Sequence, residues 1–309
     1  MAYFLHILLY NVIPLSIMIA AGATLQRVFK LDIRTLSKLN FYLFSPCVLF
    51  VMLYESTFTF GVLGQVLLFF AIFYAALLLV AEAAIRLRRL QGGMRGAMRN
   101  SVIFYNSANF AIPLNQLVFA NNPFTMSIQL IIMMMQNLLP NTFGIYSVNA
   151  HRLTFKQILR EIATFPVIYV LPLIFLVKIT DAPIPESIYI PLKYVSQGFV
   201  ATALITLGAQ LGNMNWNVSM SGLSNVFLSN GLRLVVSPAI GFAVVFALGY
   251  HGPLAQALVL SCAVPTSLSS MLLAVEFDNE PDFASQAVFL STLFSIVTVT
   301  VVIALIGGL

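Results

Sequence analysis

Charged residues are scarce in this chain. Asp, Glu, Lys and Arg make up 8% of its 309 residues, against about 25% in an average soluble domain. A water-soluble fold of this length could not cover its surface with so few charges, and 60% of the residues are hydrophobic. The composition therefore predicts an integral membrane protein. Because the apolar runs are continuous rather than alternating, they favour transmembrane helices over barrel strands.

Cysteine and catalytic motifs are also sparse. Cys47 and Cys262 both lie in apolar segments and are interpreted as small core residues, since nothing here requires a disulfide. The chain has no GxSxG or HExxH motif and no aspartate pair inside an apolar segment, so an enzyme is not expected. The formal net charge of +5 resides mainly in short loops and does not indicate nucleic-acid binding. We expect no cofactor, and no basic residue precedes the first apolar run to suggest a cleaved signal peptide.

Ten apolar segments are separated by charged loops, turn residues and prolines. Each is long enough to span a membrane, which takes about 20 residues in a helix. The predicted spans are roughly 3–26, 36–54, 59–85, 98–120, 124–148, 158–178, 188–211, 221–249, 253–276 and 282–307.

Lys and Arg are concentrated in the loops after odd-numbered spans: Arg27, Lys30, Arg34, Lys38, Arg86, Arg88, Arg89, Arg95, Arg99, Arg152, Lys156 and Arg160. The positive-inside rule places these loops in the cytoplasm. We therefore expect a multi-pass protein of the cell membrane, inner or plasma, with both termini extracytoplasmic. The loop cations are interpreted as topology signals and as contacts for anionic lipids of the bilayer.

The two halves of the chain share a local pattern. "VFANNPFTMS" at 118–127 matches "EFDNEPDFAS" at 276–285, and each follows a proline-interrupted span and opens an apolar helix. Five spans per half would make the second half enter the membrane from the opposite side. The sequence thus predicts an inverted repeat, residues 1–150 and 151–309, which is the architecture of many secondary transporters.

Each half also has a polar, proline-containing break within an apolar span. "FYNSANFAIPL" (104–114) ends in Pro113 and "SCAVPTSLSS" (261–270) contains Pro265, although no charged residue occurs from Asn100 to Ala150. A proline in a helix frees backbone groups that cannot face lipid. Two such breaks predict a binding site at mid-membrane. The alternative is a pair of proline kinks whose polar residues hold helices together.

The break hypothesis specifies candidate site residues. Half-helix N-termini would attract an anion, while carbonyl, Asn and Ser oxygens could hold a cation. Gln136 and Asn137 of the fifth span could hydrogen-bond to the broken fourth span. The candidates for substrate or ion binding are Asn106, Asn109, Pro113, Pro265, Ser267, Ser269, Arg233, Gln136 and Asn137. A Na⁺ ion, if one is bound, is expected near Asn106 and Ser267.

Arg233 is a cation deep inside a predicted span. It lies roughly 18 Å from the start of span eight at 1.5 Å per residue, near the middle of a core of about 30 Å. Such a group must face protein or water. Two interpretations remain open: a structural pair with Glu82, Glu276 or backbone carbonyls, or a positive charge that complements an anionic substrate or repels a coupling cation.

At these residues the chain resembles the auxin efflux carrier family, which includes bacterial organic-acid permeases, such as malate and malonate permeases, and plant PIN auxin carriers. "NSANFAIPL" is similar to the family's fourth span, although Ala111-Ile112 replaces the usual Gly-Leu before Pro113. The other matching segments are "LNFYLFSPCVLF" (39–50), "QNLLPNTFGIY" (136–146), "LGAQLG" (207–212), "RLVVSP" (233–238) and "AVPTSLSSMLLAVEF" (263–277).

The resemblance implies an all-α, five-plus-five inverted repeat in which broken helices 4 and 9 cross, as in the bile acid sodium symporter and PIN-like fold. It implies a scaffold of spans 1, 2, 6 and 7, a mobile transport domain of spans 3–5 and 8–10, elevator-type alternating access and a homodimer. Pro113 and Pro265 would be the crossover prolines, with Asn106 and Asn109 in the binding site. The short segment 149–157 favours a bacterial-type member.

Together these features predict a secondary active transporter of small organic anions, either dicarboxylates such as malate and malonate or auxin-like monocarboxylates. Ion gradients, with Na⁺ or H⁺ as coupling ion, or the membrane potential would drive it. The alternatives are a sodium- or proton-coupled carrier of another solute class, such as sterol-like acids, and a channel or receptor.

Overall fold

The computed structural model describes residues 2–56, 59–144, 147, 166–180, 183–213 and 222–309. Several predicted features lie outside these ranges: the beginning of the sixth span, the boundary between the halves, and the cations Arg152, Lys156 and Arg160. The side chain of Glu276 also lies outside the described part.

Within the described ranges the regular structure is helical, and one isolated β-bridge accompanies it. The helices are α1 (Leu5–Phe29), α2 (Ile33–Glu55), α3 (Phe60–Leu87), α4 (Gly92–Ile103), α5 (Ala111–Val118), α6 (Pro123–Leu139), α7 (Pro166–Thr180), α8 (Glu186–Gly212), α9 (Leu223–Ala247), α10 (Gly252–Cys262), α11 (Leu268–Glu276) and α12 (Pro281–Ile306).

Six of the described helices, α1, α2, α3, α8, α9 and α12, are long and apolar enough to cross a membrane. Many large apolar side chains on these helices are exposed, among them Ile17, Leu79 and Phe246. A water-soluble protein rarely exposes so much apolar surface, whereas lipid covers it without cost. The structure is therefore that of a multi-pass membrane protein.

Proline alone does not interrupt the long helices. In α1, α2 and α9 a π-helical turn ends two residues before a proline: Leu8–Val12 before Pro14, Asn40–Phe44 before Pro46, and Leu232–Val236 before Pro238. A proline ring crowds the carbonyl one turn earlier and lacks the N–H that would bond to it. Because a π-helical turn contains an extra residue, the helix continues past the proline.

Small residues allow α1 and α8 to pack closely. A Cβ on Gly208 would lie 2.0 Å from the carbonyl oxygen of Ile19, and one on Gly22 would lie 2.3 Å from that of Ile205. Gly208 and Gly212 form a GxxxG pattern, which permits close approach of membrane helices. The α1–α8 pair is the most extensive helix contact in the described part, and α2 packs against α8 as well.

The remaining helices surround the two short pairs α4/α5 and α10/α11. α12 packs against α9, α10 and α11, and α6 packs against α5 and α10. One end of the molecule is here called the basic end. It is defined by exposed cations in or after the last turns of α1 and α3 and in the first turn of α2: Arg27, Lys30, Arg34, Arg86, Arg88 and Arg89. The turn between α11 and α12 lies at the same end, since Asp282 and Arg34 line one cavity.

Candidate functional site

The first interruption separates α4 from α5. After Ile103 the backbone is extended, a turn follows at 107–110, and α5 begins at Ala111. The side chain of Asn106 accepts a hydrogen bond from the Asn109 N–H at 3.1 Å, and its carbonyl accepts one from the Ala111 N–H at 3.0 Å. This asparagine therefore organises the turn, as Asx turns do.

Pro113 lies in the first turn of α5, not in the non-helical stretch. Here its missing N–H needs no partner. A helix running into Pro113 from Asn109 would bring the ring against the Asn109 carbonyl, so the helix begins after that residue instead. The prediction that Pro113 itself forms the break is wrong by a few residues: the break is 104–110, directly before it.

The second interruption separates α10 from α11. Helix α10 ends at Cys262, and α11 begins at Leu268. Pro265 lies in the stretch between them. Ser267 is the N-cap of α11, and its hydroxyl accepts a hydrogen bond from the Ser269 N–H at 3.2 Å. Ser267 and Ser269 are both half-buried.

The two interruptions lie side by side and pair through their backbones. Tyr105 and Thr266 form an antiparallel bridge. The Asn106 N–H donates to the Pro265 carbonyl at 2.9 Å, and the Ser267 N–H donates to the Phe104 carbonyl at 2.8 Å. Backbone groups freed by one break thus satisfy those freed by the other, which removes the cost of leaving them unpaired in an apolar interior. This contact between the breaks is called the crossing below.

Polar side chains satisfy further backbone groups at the crossing. The Gln136 side chain accepts from the Tyr105 N–H at 3.3 Å and donates to the Ile103 carbonyl at 3.4 Å, as predicted for this residue. Gln129, also on α6, donates to the Ser107 carbonyl at 3.0 Å. Amides on α6 therefore hold the first break from one side. Asn137, the next residue after Gln136, is half-buried.

Thr266 is held in the same way from two other helices. Its hydroxyl donates to the Ser101 carbonyl of α4 at 2.9 Å, and its N–H donates to the Ser291 hydroxyl of α12 at 3.1 Å. All three side chains are fully buried. The second break is thus bonded to both α4 and α12.

Arg233 of α9 joins the two half-helices that end at the crossing. Its guanidinium donates to the Val102 carbonyl, in the last turn of α4, at 3.2 Å, and to the carbonyl of Cys262, the last residue of α10. It also lies over the Tyr105 ring, 4.5 Å from the ring centroid. The side chain is fully buried. One cation therefore binds carbonyls at two helix C-termini, where the backbone dipoles leave partial negative charge.

The contacts of Arg233 match the interpretation in which it pairs with backbone carbonyls. Its bonds go to backbone carbonyls and not to Glu82, which instead pairs with Arg95 and Arg99 at the basic end. Because α4 and α10 end at the crossing and α5 and α11 begin there, Arg233 compensates the two negative helix ends. The N-termini of α5 and α11, which are the positive ends of their helix dipoles, also lie at the crossing.

The structure brings most predicted site residues to the crossing. Asn106 and Pro265 are bonded to each other through their backbones, Ser267 adjoins them, and Gln136 and Arg233 bond to residues beside the breaks. Asn109 lies in the turn of the first break; it is half-buried, and its side chain makes no hydrogen bond to the described residues.

A cavity of about 1010 Å³ extends from the basic end to the start of α11, next to the second break. It includes Arg34 and Lys38 of α2 and also Leu268, the first residue of α11. One wall is polar, formed by Gln26, Ser37, Gln210 and Asn213; the opposite wall is apolar, formed by Leu268, Met271, Leu272 and Val275. Cavities of this size accommodate small organic ligands.

The mouth of this cavity carries charges of both signs. Asp32 caps α2, and hydrogen bonds from the Thr35 hydroxyl and the Arg34 N–H hold the pKa of its carboxyl below the ordinary value. Within the polar wall the Oε1 atoms of Gln26 and Gln210 are buried and accept no hydrogen bond in the described part. Both oxygens are therefore acceptors for a donor inside the cavity, whether water or a ligand hydroxyl.

Sequence reasoning missed several residues of the crossing: Ser101, Tyr105, Gln129 and Ser291. Gln129 and Ser291 are polar residues within apolar spans, a pattern that serves equally well for contacts between helices. The carbonyls that Arg233 binds have no sequence signal, because every residue has a backbone carbonyl whatever its side chain.

Comparison with known proteins identifies a family of membrane transport proteins. The family described as "Membrane transport protein" matches residues 147–303, just over half of the chain. An uncharacterized transporter of Methanothermobacter thermautotrophicus is 30% identical over 107 residues. That stretch covers 35% of this chain and 34% of the relative, so the match spans about a third of the relative's length.

Proposed function

The chain belongs to the membrane transport protein family, and from that premise we propose that it is a secondary active transporter of small organic anions. Its substrates would be dicarboxylates such as malate and malonate, or auxin-like monocarboxylates. The binding site would be the crossing, reached from the basic end through the cavity of about 1010 Å³.

The observation that carries the proposal is the electrostatic asymmetry of the crossing. Arg233 binds carbonyls at the C-termini of α4 and α10, while the N-termini of α5 and α11 have no acidic residue in their first turns. Helix N-termini bind anions through their N–H groups and the positive end of the dipole. A carboxylate at the crossing would therefore be stabilised by fixed groups and would need no lysine or arginine of its own.

The crossing also supports the transport mechanism. Two interrupted helices that meet are the arrangement expected for an inverted repeat of five spans each. In the proposed elevator mechanism the closely packed α1–α8 pair, with α2 and α7, forms the static scaffold, and the helices around the crossing move. The positive-inside rule places the basic end in the cytoplasm, so the cavity would be the inward-facing entrance.

Individual residues have distinct roles in this proposal. Asn109 would bond to the substrate carboxylate, and Ser267 would fix the N-terminus of α11 that faces it. Arg233 would act as a positioning residue that holds both breaks together. A coupling Na⁺, if one is used, would bind near Asn106 and Ser267.

Uptake by purified protein in proteoliposomes tests the proposal. Labelled malate, malonate and an aromatic monocarboxylate are supplied while the sodium gradient, the pH gradient and the membrane potential are varied separately. We expect saturable uptake of at least one anion, driven by one of these gradients. In Asn109→Ala, loss of a hydrogen bond to a charged group should reduce uptake efficiency about tenfold to a hundredfold.

The matched control is Gln116→Ala, which removes a half-buried amide from α5 one to two turns beyond the crossing. Its uptake should equal that of the wild type. Undiminished uptake by Asn109→Ala would refute the assigned site. Single-channel currents, or substrate binding without saturable flux, would instead identify a channel or a receptor.

A further inference from the structure

A second cavity lies between α1 and α12, and Leu211 of α8 also lines it. It has a volume of about 360 Å³. Ala20 and Ala23 of α1 form one wall, and Leu293 and Ile296 of α12 form the other. Phe110, the last residue of the first break, lies at its base. Ala20 and Leu293 are exposed, so the crevice opens to the surrounding lipid.

The polar groups of the crevice walls are satisfied internally. The hydroxyls of Ser16, Thr24 and Thr292 donate to carbonyls of their own helices at 3.0, 2.9 and 2.8 Å. An apolar chain in the crevice would therefore leave no donor unpaired. Water there would find few partners, whereas an ordered water normally makes two to four hydrogen bonds. The crevice is thus suited to hydrocarbon.

Its length and charge also match a lipid. The crevice follows α1 from Ser16 to Arg27, which is about 16 Å at 1.5 Å per residue. That is half of a hydrocarbon core of about 30 Å, and therefore the depth of one leaflet. Arg27 is exposed at the basic end, at the level where lipid head groups lie.

We infer that this crevice binds one acyl chain of an anionic phospholipid whose head-group phosphate contacts Arg27. The chain would lie against Phe110 and separate α1 from α12. This inference needs only the membrane location of the protein and does not depend on the proposed substrate.

Binding of defined lipids to the purified full chain tests it. Bound phosphatidylglycerol and phosphatidylcholine with identical acyl chains are counted by native mass spectrometry during titration. We expect one phosphatidylglycerol to bind about fivefold more tightly than phosphatidylcholine, the effect of one cation near the membrane surface.

Two pairs of variants separate the acyl-chain contact from the head-group contact. Ala20→Phe fills the crevice and should weaken the binding of one molecule of either lipid at least about tenfold. Ala21→Phe changes an exposed neighbour that does not line the crevice, and its lipid affinity should equal that of the wild type. Arg27→Gln should abolish only the preference for phosphatidylglycerol. Arg86→Gln, an exposed cation of α3 at the same end, should preserve it.

Equal affinity of the wild type for the two lipids would overturn the inference, as would wild-type binding by Ala20→Phe. Retention of the preference in Arg27→Gln would overturn the head-group assignment. Thermal unfolding of each variant verifies that lipid loss is not caused by misfolding. Since no transported substrate is involved, failure here and failure of the proposed transport activity are separate results.

Discussion

The substitution Gly208→Ala tests the close contact between α1 and α8. The added Cβ would lie 2.0 Å from the Ile19 carbonyl oxygen and 2.9 Å from the Ala23 nitrogen, both of them backbone atoms of the other helix. Backbone cannot rotate away as a side chain can. Because real Cβ contacts are essentially never below 3.0 Å, the helices must separate by about 1 Å.

Such a separation is costly because it affects the whole interface. A gap of about 0.5–1 Å removes a quarter to a half of the dispersion energy of each atom pair that it opens. Gly22 and Gly212 also pack against backbone along this interface, where an added Cβ would lie 2.3 Å and 2.8 Å from the nearest carbonyl oxygen. We therefore expect Gly208→Ala to lower the free energy of unfolding by about 3 kcal/mol, the upper end of the range for overpacking.

The assay is thermal unfolding of the purified protein in detergent, followed by the remaining monodisperse fraction. At about 2–4 °C per kcal/mol, the Tm should fall by about 6–12 °C. Gly64→Ala is the matched control: Gly64 lies in α3, and its added Cβ would have no neighbour within 4 Å. Its Tm should stay the same or rise, since alanine favours a helix more than glycine. Equal Tm values for the two variants would refute the reasoning.

Three further predictions concern the crossing, each measured in the same assay. Arg233→Met should lower the Tm more than Arg95→Met. Arg233 is fully buried and donates to two backbone carbonyls, whereas Arg95 is an exposed partner of Glu82. Equal losses would contradict the positioning role of Arg233. Gln136→Leu should lower the free energy of unfolding by about 1–3 kcal/mol, because it leaves two buried backbone groups unpaired. Gln65→Leu, an exposed control on α3, should lower it little. Similar losses in the two variants would show that the bonds of Gln136 are dispensable. Ser267→Asp should retain the α11 cap while Ser267→Ala loses about 1 kcal/mol; if the two are equally stable, the cap is unimportant.

Local sequence rules located the interruptions. Asn106 and Asn109 beside Pro113, and Ser267 beside Pro265, predicted breaks because these residues offer the backbone alternatives to helical bonding. The same rules misplaced the first break by a few residues, since a proline is tolerated in the first turn of a helix and Pro113 lies in the first turn of α5. Prolines at 14, 46 and 238 show the limit of such rules, because π-helical turns carry those helices onward.

Composition was enough to establish a helical membrane protein. A water-soluble fold with so few charged residues could not cover its apolar residues with a polar surface. It was not enough to establish what Arg233 does. That residue bonds to carbonyls of α4 and α10, 131 and 29 residues away along the chain, and a carbonyl is common to every residue. Which of them meets the guanidinium is decided by the packing of three helices, so the pairing of the two breaks and its fixed cation are visible only in the folded chain.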